Sequence, residues 1–501
     1  MPTSGTKRGS ARPEVTVGRK GVVYKAEAIK DIKEDNRPHS EAEVKRKETA
    51  EQYDKQGMLV EEGKFSSSKV VIDEDEQFLA VPDHVQQHIG GDFVMAKIPP
   101  KVEFGMIPAQ PTFFHEPDEG KVTGLWSNWC LSNYYGPTGK FYGAVGDHIG
   151  YNAHLYIVEY DPATRSVRCF PEINKVLGRT RDVFGDGKIH GWLDFYDGPN
   201  LWFCTYWCEY PEPKEEDWAT GYDGGHIMSL NVETGDITDY GVPVVRASWP
   251  HHRVDTKRGI MYGVGFFHEF LAWDIAAQEV LWGGYLPEGM NWNTRVMCID
   301  EPTGRVFCSN QHAGDAESHV LRYDPSENRC VQLDAHMPKN AITGKYNTMR
   351  ANTKHRGPDG LFYGQTQDGQ MFALDPETEI VTDKGINWPG EQRYTASMER
   401  SPGGRYIYYC PGAHGRGFME GSPLVQYDTE TGKRKIMAFL HPYHCEKYGY
   451  TTGGTFTIKL DDAGERVFII WNGAYIDPQT SDVFGNTSFM NVYLPEAERR
   501  E

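Results

Sequence analysis

Short apolar runs separated by turn residues recur along most of this chain. Between Arg393 and Leu440 the pattern reads as four strands. Thr395 to Glu399 alternates small and apolar residues, and Arg405 to Cys410 is an aromatic run suited to a buried strand. Leu424 to Tyr427 and Lys433 to Leu440 supply the other two. Ser401-Pro402-Gly403-Gly404 and Asp428-Thr429-Glu430-Thr431-Gly432 punctuate them, because Asp bonds its own backbone and Gly accepts positive φ. A loop from Pro411 to Gly421 carries His414 and Arg416. Strand, turn, strand, loop, strand, turn, strand is one blade of a β-propeller.

The third strand and its turn identify further copies. Ile157 to Asp161, Ile227 to Asn231, Phe270 to Asp274, Val320 to Asp324, Met371 to Asp375 and Val425 to Asp428 all end on Asp or Asn. The intervals between them, about 43 to 70 residues, suit blades with variable loops. A seventh unit runs from Thr455 through Arg466–Trp471 to Phe489–Leu494 and stops after its third strand. A strand from the opposite terminus commonly closes such a propeller and removes the free edge. Val102 to Phe114 is the candidate. The pattern predicts an all-β, seven-bladed β-propeller over 91–501, after a charged, partly helical or disordered N-terminal extension over 1–90. Other all-β repeats, such as a β-helix or two sandwiches, fit the long period less well.

Composition sharpens this picture. The 501 residues suit seven blades plus an extension, and aromatics at 13% fit sheets packed through wide, flat side chains. The net charge of -19 and the lack of a basic run argue against a nucleic-acid partner. No apolar stretch is long enough to span a membrane, and Met1-Pro-Thr-Ser-Gly-Thr-Lys-Arg is not a signal peptide, so a cytoplasmic location is expected. The nine Cys lie singly, which predicts buried thiols rather than a disulfide framework. Ser40 to Tyr53 is highly charged with i,i+4 Glu–Lys pairs, an exposed helix or arm, and a candidate contact to a second copy of the chain.

A propeller gathers its ligand site on its axis, at the loops entering each first strand and those leaving each second strand. Sampling those two points blade by blade finds His148, His190, His251, His252, His268, His312 and His414, with Arg295, Arg350 and Arg416. A lone His is more often structural, but many at equivalent places mark a functional face. The other ends of the blades carry ordinary solvated turns. Tyr206, Trp207, Gln311 and Asn472 fall on the same face. Trp and Tyr stack on sugar rings, Arg pairs with carboxylate or sulfate, and His and Tyr move protons. The set suits an acidic saccharide. Its β-elimination needs the C5 carboxylate neutralised, a base near neutral pKa and an acid for the leaving oxygen. The candidate catalytic residues are His190, His251, His252, Tyr206 and His414; Arg295, Arg350, Arg416, Trp207 and Asn472 are the candidate substrate contacts.

This arrangement resembles the propeller-fold polysaccharide lyases of the oligogalacturonate-lyase and ulvan-lyase type. The resemblance implies a lyase acting on uronic-acid saccharides, with a divalent metal held by His and Gln. On that reading His252, Gln311 and His312 are the ligands and Mn or Ca the ion. Two other classes stay open. Carotenoid-cleaving oxygenases are propellers with four axial His on Fe(II), for which His190, His252, His312 and His414 are a candidate set, although the polar lining suits a carotenoid poorly. A non-catalytic binding scaffold is the third, and the His-rich face counts against it.

Overall fold

A computed structural model describes residues 21–25, 70–107, 117–118, 121–122, 126–151, 153–179, 183–209, 211–474 and 482–501. Seven antiparallel sheets follow one another along the chain and make a seven-bladed β-propeller. Ser127–Asn128 opens blade 1, Asp194–Phe195 blade 2, His251–Asp255 blade 3 and Cys298–Ile299 blade 4. Met349–Asn352, Met398–Arg400 and Thr451–Gly454 open blades 5, 6 and 7.

The repeated Asp or Asn has one physical job. Asp428 Oδ1 accepts the N–H of Glu430 at 3.0 Å, closing the turn to the fourth strand of blade 6. Asp161, Asn231, Asp274, Asp324 and Asp375 do the same for Ala163, Glu233, Ala277, Ser326 and Glu377 at 2.8 to 3.1 Å. A side chain that caps its own turn is a local signal, which is why the blades could be counted from the sequence.

Closure uses Lys101–Met106, which pairs antiparallel with Asn486–Tyr493 as the fourth strand of blade 7. The strand is shorter than the expected Val102 to Phe114, and 108–114 lie outside the described residues. Asn472 Oδ1 accepts the Asn128 N–H at 2.7 Å, and its Nδ2 donates to the Asn128 carbonyl at 3.1 Å. Phe141 of blade 1 stacks on Phe468 of blade 7 with ring centroids 5.0 Å apart. These contacts join the last blade to the first.

Other N-terminal strands extend the sheets outward. Val22–Tyr24 pairs with the outer strand of blade 2, Val71–Glu74 with the closing strand of blade 7, and Phe93–Met95 runs parallel to the outer strand of blade 6. Part of the expected extension is therefore built into the propeller's rim. The charged segment from Ser40 to Tyr53 lies outside the described residues. A helix the strand pattern did not announce, Leu440–Tyr448, joins blades 6 and 7. Among the described residues no helix is long and apolar enough to cross a membrane. Eight of the nine Cys are buried thiols, and Cys445 is partly exposed.

Candidate functional site

Each blade sends one to three side chains to one mouth of the axis. The alternation of a strand puts residues i and i+2 on the same side. Lys188 and His190, in the segment entering blade 2, obey it, and Lys188 forms a bridge with Tyr206 just after the second strand. Trp129 comes from blade 1, His251 from blade 3, Arg295 from the segment entering blade 4 and Arg350 from the first strand of blade 5. Tyr394 enters blade 6, and Phe456 lies between the two inner strands of blade 7.

These residues touch. Lys188 Nζ stands 4.1 Å from the centre of the Trp129 ring and 5.5 Å from that of Tyr206. Trp129 lies 5.1 Å from Phe456, and His190 lies 5.7 Å from Phe456 and 6.3 Å from Tyr206. The Arg350 guanidinium stands 4.8 Å from the Tyr394 ring and 5.3 Å from Phe456, and its Nε donates to the Tyr394 hydroxyl. Arg295 pairs with Glu209 at 3.2 Å. The result is an aromatic floor of Trp129, Tyr394 and Phe456 with Lys188 and Arg350 over it.

The electrostatics follow from that convergence. Burial, then the charges of Arg295, Lys188 and Arg350, hold the His190 pKa well below the ordinary histidine range. Burial, then His252, Arg253 and Arg350, do the same to His251. Burial also lowers Arg350, against the help of Tyr394. Burial brings Lys188 down to about 7, although Cys208, Glu209 and Asp147 favour its charge. Tyr206 is pushed well up by burial, so its hydroxyl stays protonated.

Buried polar atoms normally find a hydrogen-bond partner. Here Trp129 Nε1, His190 Nδ1, both ring nitrogens of His251 and Arg350 Nη2 have none within the protein, while the Tyr206 hydroxyl stands against Arg295. These unpartnered atoms are among those at the mouth of the axis, and others lie elsewhere in the blades.

The other expected site residues divide differently. His252 Nε2 accepts the Cys204 N–H at 3.1 Å, so this ring holds blade 2 to blade 3. Gly191 makes that contact feasible, since a Cβ there would lie 2.5 Å from His252 N and Nδ1. Trp207 is buried among Trp218, Tyr222, Phe266 and Phe267 and is core rather than a sugar platform. Asn472 spends both amide atoms on the Asn128 backbone. His414 and Arg416 stand on the rim and face Asp482, with His414 5.8 Å from the Tyr394 ring. His148 packs 4.9 Å from Trp129, and His268 Nδ1 donates to the Trp292 carbonyl at 2.9 Å.

The candidate metal ligands His252, Gln311 and His312 differ in setting. His252 is committed through Nε2, Gln311 is exposed, and His312 is partly exposed. Among the described residues no three His, Cys, Asp or Glu side chains are grouped to hold a metal, so the four-His set is not gathered either.

Sequence reasoning placed Tyr394 on this face without giving it a role, and missed Lys188, Trp129 and Phe456. Lys188 carried a usable signal, since it lies two residues before His190 in an extended segment. Phe456 carried none, because its meaning comes from the blades that face it.

No protein-family model matches the chain, and no curated protein sequence does. Among solved structures it is similar to a chain of one titled "Crystal Structure of Mitotic Checkpoint Complex", at 12% identity and a TM-score of 0.41, covering 74% of this chain and 87% of that one. No activity or ligand follows from a likeness at that level.

Proposed function

We propose that the axial mouth binds a uronic-acid-containing saccharide and cleaves it by β-elimination. The observation that carries this reading is the convergence of Arg295, Arg350 and Lys188 beside an aromatic cluster, with the carboxylates of Glu209 and Asp147 nearby. Two buried guanidiniums favour an anionic ligand, and a planar guanidinium recognises a carboxylate through paired hydrogen bonds. Tyr394, partly exposed, offers a ring to a pyranose, while Trp129 and Phe456 are buried beside it.

In this reading Arg295 and Arg350 neutralise the C5 carboxylate, the part the resemblance gives to a metal. That neutralisation stabilises the charge that develops when the C5 proton leaves. Tyr206, held protonated by burial and standing beside Arg295, supplies a proton to the leaving oxygen. His190 is neutral, and its Nδ1 is positioned to hydrogen-bond a sugar hydroxyl. Its depressed pKa makes it a weak base, so the expectation of a His base poised near neutral pH gives way to a positioning role.

The test is turnover of oligogalacturonate, oligoglucuronate and oligomannuronate, followed by the absorbance of the unsaturated product. Tyr206→Phe should lower turnover about 100-fold or more while the melting temperature stays within a few degrees. If the wild type acts on none of these acidic oligosaccharides, the lyase reading is wrong.

A further inference from the structure

We infer that Lys188, as the free amine, is the base that takes the C5 proton in the axial site; this rests on the lyase reading above. Lys188 is 3% exposed, yet among the described residues its Nζ makes no ion pair and no side-chain hydrogen bond. Buried lysines are ordinarily paired with a carboxylate, because a bare ammonium is costly to desolvate. Every other cation at this mouth has a partner, Arg295 with Glu209 and Arg350 with Tyr394. Lys188 instead has the faces of Trp129 and Tyr206.

The groups around it explain why it can be neutral. Arg295 opposes its charge, as does its burial, while Cys208, Glu209 and Asp147 favour it. Asp147 is itself engaged by the His154 N–H at 2.9 Å and the Ile149 N–H at 3.2 Å. Glu209 is engaged by Arg295. The balance leaves an amine near pKa 7, the value at which a base combines a useful neutral fraction with basicity. His190, two residues on, shares the same cations and is pushed too low for the task.

The step balances without any further reactant. The Lys188 lone pair takes the C5 proton, the C–H electrons form the C4–C5 double bond, and the C4–O bond breaks with its pair going to oxygen. Tyr206 protonates that oxygen. The products are an unsaturated uronate and an alcohol, and Lys188 returns its proton to Tyr206 through solvent.

Two measurements on the full chain test this. The first needs no substrate: treatment with pyridoxal phosphate and borohydride at pH 7.5, then peptide mapping. Lys188 should be modified ahead of exposed lysines such as Lys345, and a preference for exposed lysines would overturn the inference. The second is turnover of the same oligouronates. Lys188→Ala and Lys188→Arg should each lose about 100-fold or more, Arg because it cannot deprotonate. Ethylamine should restore part of the Lys188→Ala activity, tracking the concentration of free amine. Wild-type turnover should rise through about pH 7. A fully active Lys188→Ala would overturn the assignment and leave the lyase reading standing. A wild type inactive on all three oligouronates overturns both.

Discussion

The Tyr160 hydroxyl donates to Glu103 Oε2 at 2.6 Å, tying blade 1 to the strand that closes blade 7. Glu103 is fully buried, and Asn491, Tyr493 and Arg165 also donate to it at 2.8 to 3.1 Å. One carboxylate thus joins the N-terminal strand, the last blade and the first. Glu103→Ala strands the buried donors of Tyr160 and Asn491 and removes two more partly exposed ones, and a loss of about 3 kcal/mol is expected. Chemical denaturation checks it; a midpoint equal to wild type would show that closure does not depend on this carboxylate.

Arg350 and Arg295 should carry affinity for the anion. Replacing either by Ala should weaken binding of an oligouronate about 10- to 100-fold, from the loss of a charge-assisted hydrogen bond worth about 1.5–3 kcal/mol. Arg416→Ala, on the rim beside Asp482, should change it less than about threefold. Titration calorimetry decides, and equal losses at all three positions would place the ligand across the rim instead.

Gly191 should tolerate no side chain. A Cβ would meet His252 N and Nδ1 at 2.5 Å, and the Trp192 N–H already donates to the His252 carbonyl at 3.0 Å. Gly191→Ala should cost about 1–3 kcal/mol and displace His190 from the mouth. Retention of both melting temperature and ligand affinity would contradict this packing.

Acidification should destabilise the fold. Burial lowers His252 and His444 from 6.5 to about 4. Between those values the unfolded chain binds protons that the fold refuses, so stability falls as pH falls below 6.5. Each histidine contributes up to about 1.4 kcal/mol per pH unit across that window. The melting temperature at pH 5 should lie below that at pH 7 at equal ionic strength, and a flat profile would refute the assignment.

The sequence by itself determined the blades. Period-two apolar runs and a side chain that caps its own turn are local, so the copies ending at Asp161, Asn231, Asp274, Asp324, Asp375 and Asp428 could be found without knowing what they face. The incomplete last unit also announced closure from the other terminus, because a free sheet edge is unstable in any context. Only the tertiary structure decided which polar residues are free to act. His190 and His252 read alike along the chain, yet only the His252 ring accepts a backbone N–H, from Cys204 of the preceding blade. Asn472 reads as a ligand contact and is a pin between blades. The character of Lys188 is equally non-local: its pKa depends on burial and on Cys208, Glu209 and Arg295, and the ring beneath it belongs to Trp129 of another blade. Strand periodicity is a property of neighbours in sequence, whereas desolvation and charge are properties of neighbours in space.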